Sequence, residues 1–250
     1  MDSKDWHERF IVQASWTKEL RQFIYRQTGI NPQSRILEIG CGTGVIVNDV
    51  GQQTDQPVIG IDIDNQHLSE ANIRYPKSVF ACSEAAELPF QGNSFDFVIS
   101  HYFFLWVKEA APVLKEVNRV LKPHGTLVAL AEPDYLARID SPREFWELAE
   151  LQTTSLINQG ANPMMGRQLP QLFSQAGFKD VTYGVSGFQA ETSIIPDWLD
   201  SEWNVLEHDL EGLVSPEKLR SWRELDLTSR VNCSRVLWVP TFYAFGNKTY

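Results

Sequence analysis

Between residues 35 and 131 short apolar runs alternate with amphipathic helical segments. The runs are Arg35–Ile39, Pro57–Asp62, Ser78–Cys82, Phe95–Ser100 and Thr126–Ala131. Helical patterns fall at Val45–Val50, near Asn65–Tyr75 and at Ala110–Leu121. Strands that alternate with helices predict a doubly wound, parallel α/β sheet with right-handed crossovers and helices on both faces. Ligands of such sheets sit at the carboxyl ends of the strands, near the point where strand order reverses. The sequence motifs fall at those ends.

Outside this stretch the pattern changes. Trp6–Thr28 reads as one or two amphipathic helices, closed by Gly29, Asn31 and Pro32. Beyond Glu132, Arg143–Ile157 and Leu169–Ala176 look helical, and Val181–Ala190 and Arg235–Gly246 look like strands. Pro196–Arg230 between them is mostly helical and rich in Trp and acids. The expectation is one domain: a helical lid at 1–30, a core at 33–132, and helical insertions at 133–170 and 191–230 that form a cap.

The chain carries a formal net charge of −10, which argues against nonspecific nucleic-acid binding. Beyond residue 130 there are 10 Lys and Arg against 17 Asp and Glu. Nine acids and no Lys or Arg lie between Asp180 and Glu217. A solvated helix face or a cavity rim favouring a cationic, amine-bearing substrate explains such a run. The three cysteines are too scattered for a disulfide framework or a zinc site. No apolar run is long enough to span a bilayer, and the N-terminus lacks a signal peptide's apolar stretch, so a cytoplasmic protein is expected.

The most informative segment is Glu38-Ile39-Gly40-Cys41-Gly42-Thr43-Gly44. A tight strand-to-helix turn without Cβ atoms lets backbone approach a ligand closely. A dinucleotide turn wants a small residue where Val45 stands. Asp62, eighteen residues beyond Gly44, ends the second strand, where a carboxylate accepts both hydroxyls of a ribose.

Ile36–Gly44 resembles the first motif of the class I S-adenosylmethionine-dependent methyltransferases. Gly60-Ile61-Asp62-Ile63-Asp64 resembles their acidic second motif. Glu84–Phe90 with Ser94–Val98 resembles the third-loop pattern of their small-molecule branch, and Glu116–Leu127 the helix and turn before the fifth strand. The four follow in order over about 95 residues. His124 and Glu84 depart from the usual Gly and Asp. The resemblance implies a Rossmann-like seven-stranded sheet with the last strand antiparallel. It implies S-adenosylmethionine as cofactor and S-adenosylhomocysteine as product. Gly40, Cys41 and Gly42 would pass under the methionine part, and Glu38 would hold the turn or the amino group. Asp62 would bind ribose, Ile63 would pack on adenine, Glu84 and Ala85 would meet its edge, and Ser100 would face the sulfonium.

The fourth strand runs into Ser100-His101-Tyr102-Phe103-Phe104, without the Asn/Asp-Pro-Pro-aromatic signature of amine-modifying relatives. It offers no carboxylate for magnesium either, so metal-independent transfer to O, N or C of a small molecule is expected. His101 is the candidate general base, with His7 and His208 behind it. The acceptor pocket is expected from Trp16, Tyr102, Tyr135, Arg138, Met165 and Trp198, with Asn162–Arg167 as a closing loop. Arg138 or Arg167 would suit an anionic acceptor. The expected partner is a small molecule, not nucleic acid, and the chain is expected to be a monomer or homodimer. The alternatives are a nicotinamide-dependent oxidoreductase and a noncatalytic S-adenosylmethionine-binding protein.

Overall fold

A computed structural model gives the fold of residues 3–187 and 198–249. Two helices, α1 (Ser3–Trp16) and α2 (Lys18–Thr28), precede the sheet. Gly29 ends α2 in the left-handed conformation, at φ 76°. The sheet region then runs β1 (Ile36–Ile39), α3 (Val45–Val50), β2 (Ile59–Asp62), α4 (Asn65–Arg74), β3 (Val79–Cys82), β4 (Phe95–Ser100), α5 (Ala110–Val120) and β5 (Leu121–Pro133). The remainder comprises β6 (Ile139–Ser141), α6 (Trp146–Asn158), α7 (Met165–Gln175), β7 (Lys179–Ser186), α8 (Leu199–Asp209), α9 (Pro216–Val231), β8 (Val236–Trp238) and β9 (Thr241–Asn247). Local chemistry sets several boundaries. Asp64 caps α4 by accepting from the backbone N–H of Gln66 and His67, and Ser215 caps α9 with Pro216 in its first turn.

Seven strands form one sheet in the order β3-β2-β1-β4-β5-β9-β7. Pairs from β3 through β5 are parallel, whereas β9 runs antiparallel to both β5 and β7. The expected Rossmann-like sheet is therefore present, with the last strand reversed and inserted beside β7. The order reverses between β1 and β4, so the ligand crevice belongs at their carboxyl ends.

Both sheet faces are covered. Leu37, Ile39 and Val98 pack on one side with Val117 of α5 and Phe173 of α7. Ile36, Ile99 and Val128 pack on the other with Ile24 and Tyr25 of α2. The cap has its own core of Phe145, Leu148, Leu199, Trp203, Leu210, Leu219 and Trp222. No helix among the described residues is long and apolar enough to cross a membrane.

The two final strands differ from expectation. Arg235–Gly246 is not one strand. Its first part, β8, pairs with β6 as a two-stranded antiparallel ribbon, and only β9 joins the large sheet. Pro240 stands between them and has no N–H to give a ladder. The expected strand Val181–Ala190 is observed as far as Ser186; residues 188–190 lie outside the described residues, as do 191–197 of the expected cap.

One buried carboxylate fixes the chain where it leaves β4. Glu132 Oε1 accepts from the N–H of Phe103 at 2.9 Å and of Phe104 at 2.8 Å, and Oε2 from that of Leu105 at 3.2 Å. Burial pushes its pKa up to about 7 against the pull of those three donors. A carboxyl whose folded pKa is raised contributes stability that is full below its unfolded pKa and lost as pH rises through the folded one. In the stability difference between wild type and Glu132→Gln, other titrating groups cancel. That difference should fall by on the order of 3 kcal/mol between about pH 4.5 and 8. Urea unfolding across this range checks it; a difference independent of pH would contradict the assignment.

Candidate functional site

The site lies where β1, β2, β3 and β4 end. Gly40 and Gly42 take φ of 68° and 50°, a region costly for residues with a Cβ. A Cβ at Gly40 would run into the ring of Phe103, and one at Gly42 would come within 2.7 Å of Phe10 Cε2. Cys41 between them is buried, and its N–H donates to the Ile61 carbonyl at 2.9 Å. Asp62 ties the turn to β2. Its Oδ2 accepts from the N–H of Gly42 at 2.8 Å and its Oδ1 from that of Asp64 at 2.9 Å.

On β1 and β4, Glu38 Oε2 and Ser100 Oγ are buried without a hydrogen-bond partner among the described residues. Glu38 is 1% exposed, and burial drives its pKa well up, with Arg21 pulling the other way. Unpaired buried polar groups are costly, so both atoms suit a ligand that brings donors, such as an ammonium. Ile63 beside Asp62 is 71% exposed, an apolar platform open for a flat ring. Glu84 is exposed and Ala85 half-buried beyond β3. The residues expected for the cofactor thus meet along one line of strand ends. A ribose, an adenine and an ammonium-bearing tail fit the donors, acceptors and apolar surface there.

Helix α1 lies over this cleft. His7 Nδ1 is 2.8 Å from Thr43 Oγ1, and Phe10 packs against Trp6 and His67. At the α1–α2 junction, Thr17 Oγ1 accepts from Arg21 Nη1 at 2.7 Å and lies 2.8 Å from His101 Nε2. Thr17 Oγ1 has one proton and two lone pairs and also lies 3.5 Å from the Ala14 carbonyl, so the direction of its bond to the imidazole follows the histidine tautomer. Burial and the Arg21 charge hold its pKa well below the usual imidazole value.

A cavity of about 820 Å³ opens beside the β4 exit. Five of the six expected acceptor residues line it: Trp16, Tyr102, Tyr135, Arg138 and Trp198. Met165 does not. It opens α7, is 4% exposed and packs in the sheet core. The neighbouring Gly166 is pressed so close that a Cβ would stand 2.6 Å from the Glu132 carbonyl, and the Asn162 N–H donates to the Leu105 carbonyl at 2.7 Å, so the segment expected to close over a ligand is tied to the body of the fold at both ends. Arg167 is committed to Asp134, with Nη2 to Oδ1 at 2.8 Å. Glu132 and Asp134, the two acids at the end of β5, are thus both engaged. His101 lies outside the cavity lining, as do His7 and His208. The sequence reading missed Arg9, Asp226, Arg230, Arg235 and Trp238, which also line the cavity. No spacing signal links them, because α1, α9 and β8 meet only in the fold.

Residues 37–129 match the family model described as "Methyltransferase domain". A demethylmenaquinone methyltransferase of Lysinibacillus sphaericus is 28% identical over 70% of this chain and 80% of its own length. A mitochondrial arginine hydroxylase of Mus musculus is 29% identical over 61% of this chain and 44% of its own. The chain spans about half the length of the curated relatives it matches first. Among solved structures, phosphoethanolamine N-methyltransferase 2 of Haemonchus contortus, in complex with phosphomonomethylethanolamine and S-adenosylhomocysteine, superposes with a TM-score of 0.61. It is 18% identical, with 96% of this chain and 57% of that one covered, a likeness of fold. The matched stretch 37–129 contains the glycine turn, strands β1 to β4 and most of β5, and this part of the chain is similar to a methyltransferase domain.

Proposed function

We propose that the chain transfers the methyl group of S-adenosylmethionine to a small-molecule acceptor held in the cavity beside β4, without a metal, and leaves S-adenosylhomocysteine. The observation that carries this is the shared wall. The segment Ser100–Phe103 borders the glycine-turn cleft through Phe103 and the cavity through Tyr102. When bound, the cofactor supplies a methyl already activated on a sulfonium, so the protein's task is alignment and exclusion of water. Bound there, the cofactor would supply the methyl for an in-line displacement, with the electron pair of the methyl–sulfur bond left on sulfur and a proton lost to solvent from an O–H or N–H acceptor.

Each part of the chain then has a role. Asp62 and Ile63 hold the ribose and adenine, with Glu84 and Ala85 at the adenine edge. Glu38 takes the ammonium, and Gly40, Cys41 and Gly42 shape the floor. On the acceptor side, burial raises the pKa of Tyr102 and Tyr135, so both remain hydroxyl donors toward an acceptor oxygen. His101 acts as a positioning residue rather than a base. Its Nε2 is engaged with Thr17 Oγ1 and it lies outside the cavity lining, and through Thr17 it fixes the α1–α2 junction above the site. The reading goes with a cytoplasmic protein that works as a monomer or homodimer.

Titration calorimetry with S-adenosylhomocysteine tests the first step. Wild type should bind it, and Asp62→Ala and Glu38→Gln should each weaken binding by about tenfold or more. Wild-type protein that is folded and binds none would sink the reading. His101 has its own test in imidazole ¹⁵N shifts. The proposal expects a neutral ring with no titration between pH 6 and 8. A ring that titrates near the ordinary histidine value would restore the general-base role.

A further inference from the structure

The cap holds a chain of five buried charges. Arg138 is bound to Asp140, with its Nη2 3.3 Å from Oδ1. Arg235 reaches Asp140 Oδ1 through Nη1 at 2.8 Å and Asp226 Oδ1 through Nε at 2.7 Å. Arg230 Nε donates to Asp226 Oδ2 at 3.2 Å. No side chain of the five is more than 10% exposed. The other partners are neutral: Trp203 Nε1 to Asp226, Gln152 to Arg138, the Ser141 and Val236 carbonyls to Arg235, and the Phe145 ring under Arg235.

The count is three guanidiniums against two carboxylates. Nearby charges do not alter it. Arg9 is paired with Glu202 and Glu147 on α6 with Lys218, and the cations that act on Asp209 are His208 and Arg9, not the three arginines. Glu144 and Glu150 are exposed. Among the described residues one positive charge therefore lacks a counter-ion. An uncompensated buried charge costs several kcal/mol, and arginine does not shed its proton to escape that cost. All three arginines line the 820 Å³ cavity.

We infer that the cavity takes an acceptor bearing one carboxylate on an apolar, largely aromatic body. This rests on the reading of the cavity as the acceptor site. A guanidinium fork matches two carboxylate oxygens. One missing charge suits a carboxylate better than a phosphate monoester, which carries about −1.5 to −2. Trp16, Tyr135, Trp198 and Trp238 give the flat walls, and the ribbon of β6 and β8 carries Arg138 near one end and Arg235 at the other. The carboxylate belongs at that ribbon, and the atom to be methylated at Tyr102. The sign is opposite to the one the acid run suggested. In that run Asp200 and Glu207 are bound to Arg223 and Glu202 to Arg9, so those acids already hold cations of this chain.

The test uses the full chain and three probes with one ring: 3-(4-hydroxyphenyl)propanoate, its primary amide, and 4-hydroxyphenethylamine. By calorimetry, wild type should bind the propanoate about tenfold or more tightly than either other probe. Arg230→Met leaves two guanidiniums against two carboxylates. It should hold or raise the melting temperature and lose the preference. Equal affinity for the three probes, no binding of the propanoate, or a preference that survives in Arg230→Met overturns the inference. S-adenosylhomocysteine titrated into the same samples separates the two proposals. Bound S-adenosylhomocysteine without a carboxylate preference sinks this one alone. A carboxylate preference without S-adenosylhomocysteine binding sinks the methyltransferase reading and leaves an anion-binding cavity.

Discussion

The hold of one carboxylate on three N–H groups organises both halves of the site. Glu132 ends the central run of β5, where the pairing with β9 shifts register between Ala129 and Glu132. The shift turns the strand end so that its side chain meets Phe103, Phe104 and Leu105. Those donors would otherwise be buried without partners, at about 1–3 kcal/mol each. The clamp keeps Tyr102 at φ 52°, a conformation a tyrosine seldom takes. Phe103 is thereby set against Gly40 and Tyr102 against the cavity. A loop free to relax would move both walls at once. The α7 backbone reaches the same point, because Gly166 has no side chain to hold it off the Glu132 carbonyl.

Helix α1 couples the two halves from above. Arg9, Gln13 and Trp16 line the cavity at a spacing that places them on one helix face. His7 and Phe10 lie toward the glycine turn on a neighbouring face, and Ala14 enters the core. The helix is then pinned at its end by Thr17, which bridges Arg21 and His101. Arg21 continues to Asp49 on α3, which also accepts from Tyr25. A displacement of α1 would thus disturb the glycine turn and the cavity wall together.

The cofactor half could be read in the sequence because its chemistry is local. Glu38 through Gly44 is one strand, one turn and one helix start, and Asp62 follows at the end of the next strand. The acceptor half is assembled from segments far apart in the chain. Its aromatic members were found by asking which elements lie outside the common core, a rule that selects Trp16 and Tyr135 but also Met165. Whether a residue at the start of α7 faces the cavity or the core depends on how the helix rolls on β5 and β9, and no pattern within Asn162–Arg167 encodes that. The break in the last strand was written in Pro240, whose missing N–H outweighed the apolar run on either side of it.

The acid run and the cavity point to opposite charges for a physical reason. The acids between Asp180 and Glu217 are conspicuous in the sequence, while the arginines bound to three of them, Arg9 and Arg223, stand outside the run. Net charge weighs all positions equally, yet a cavity does not. Exposed acids on α8 and α9 are screened by salt within roughly 8 Å. Arg138, Arg230 and Arg235 act in a medium of much lower effective dielectric, where each unit of charge counts for several times more. A chain of formal charge −10 can therefore present a cationic interior to its ligand. The sign of that interior follows from the pairing of five buried side chains, a property fixed only when α9 and the β6–β8 ribbon come together.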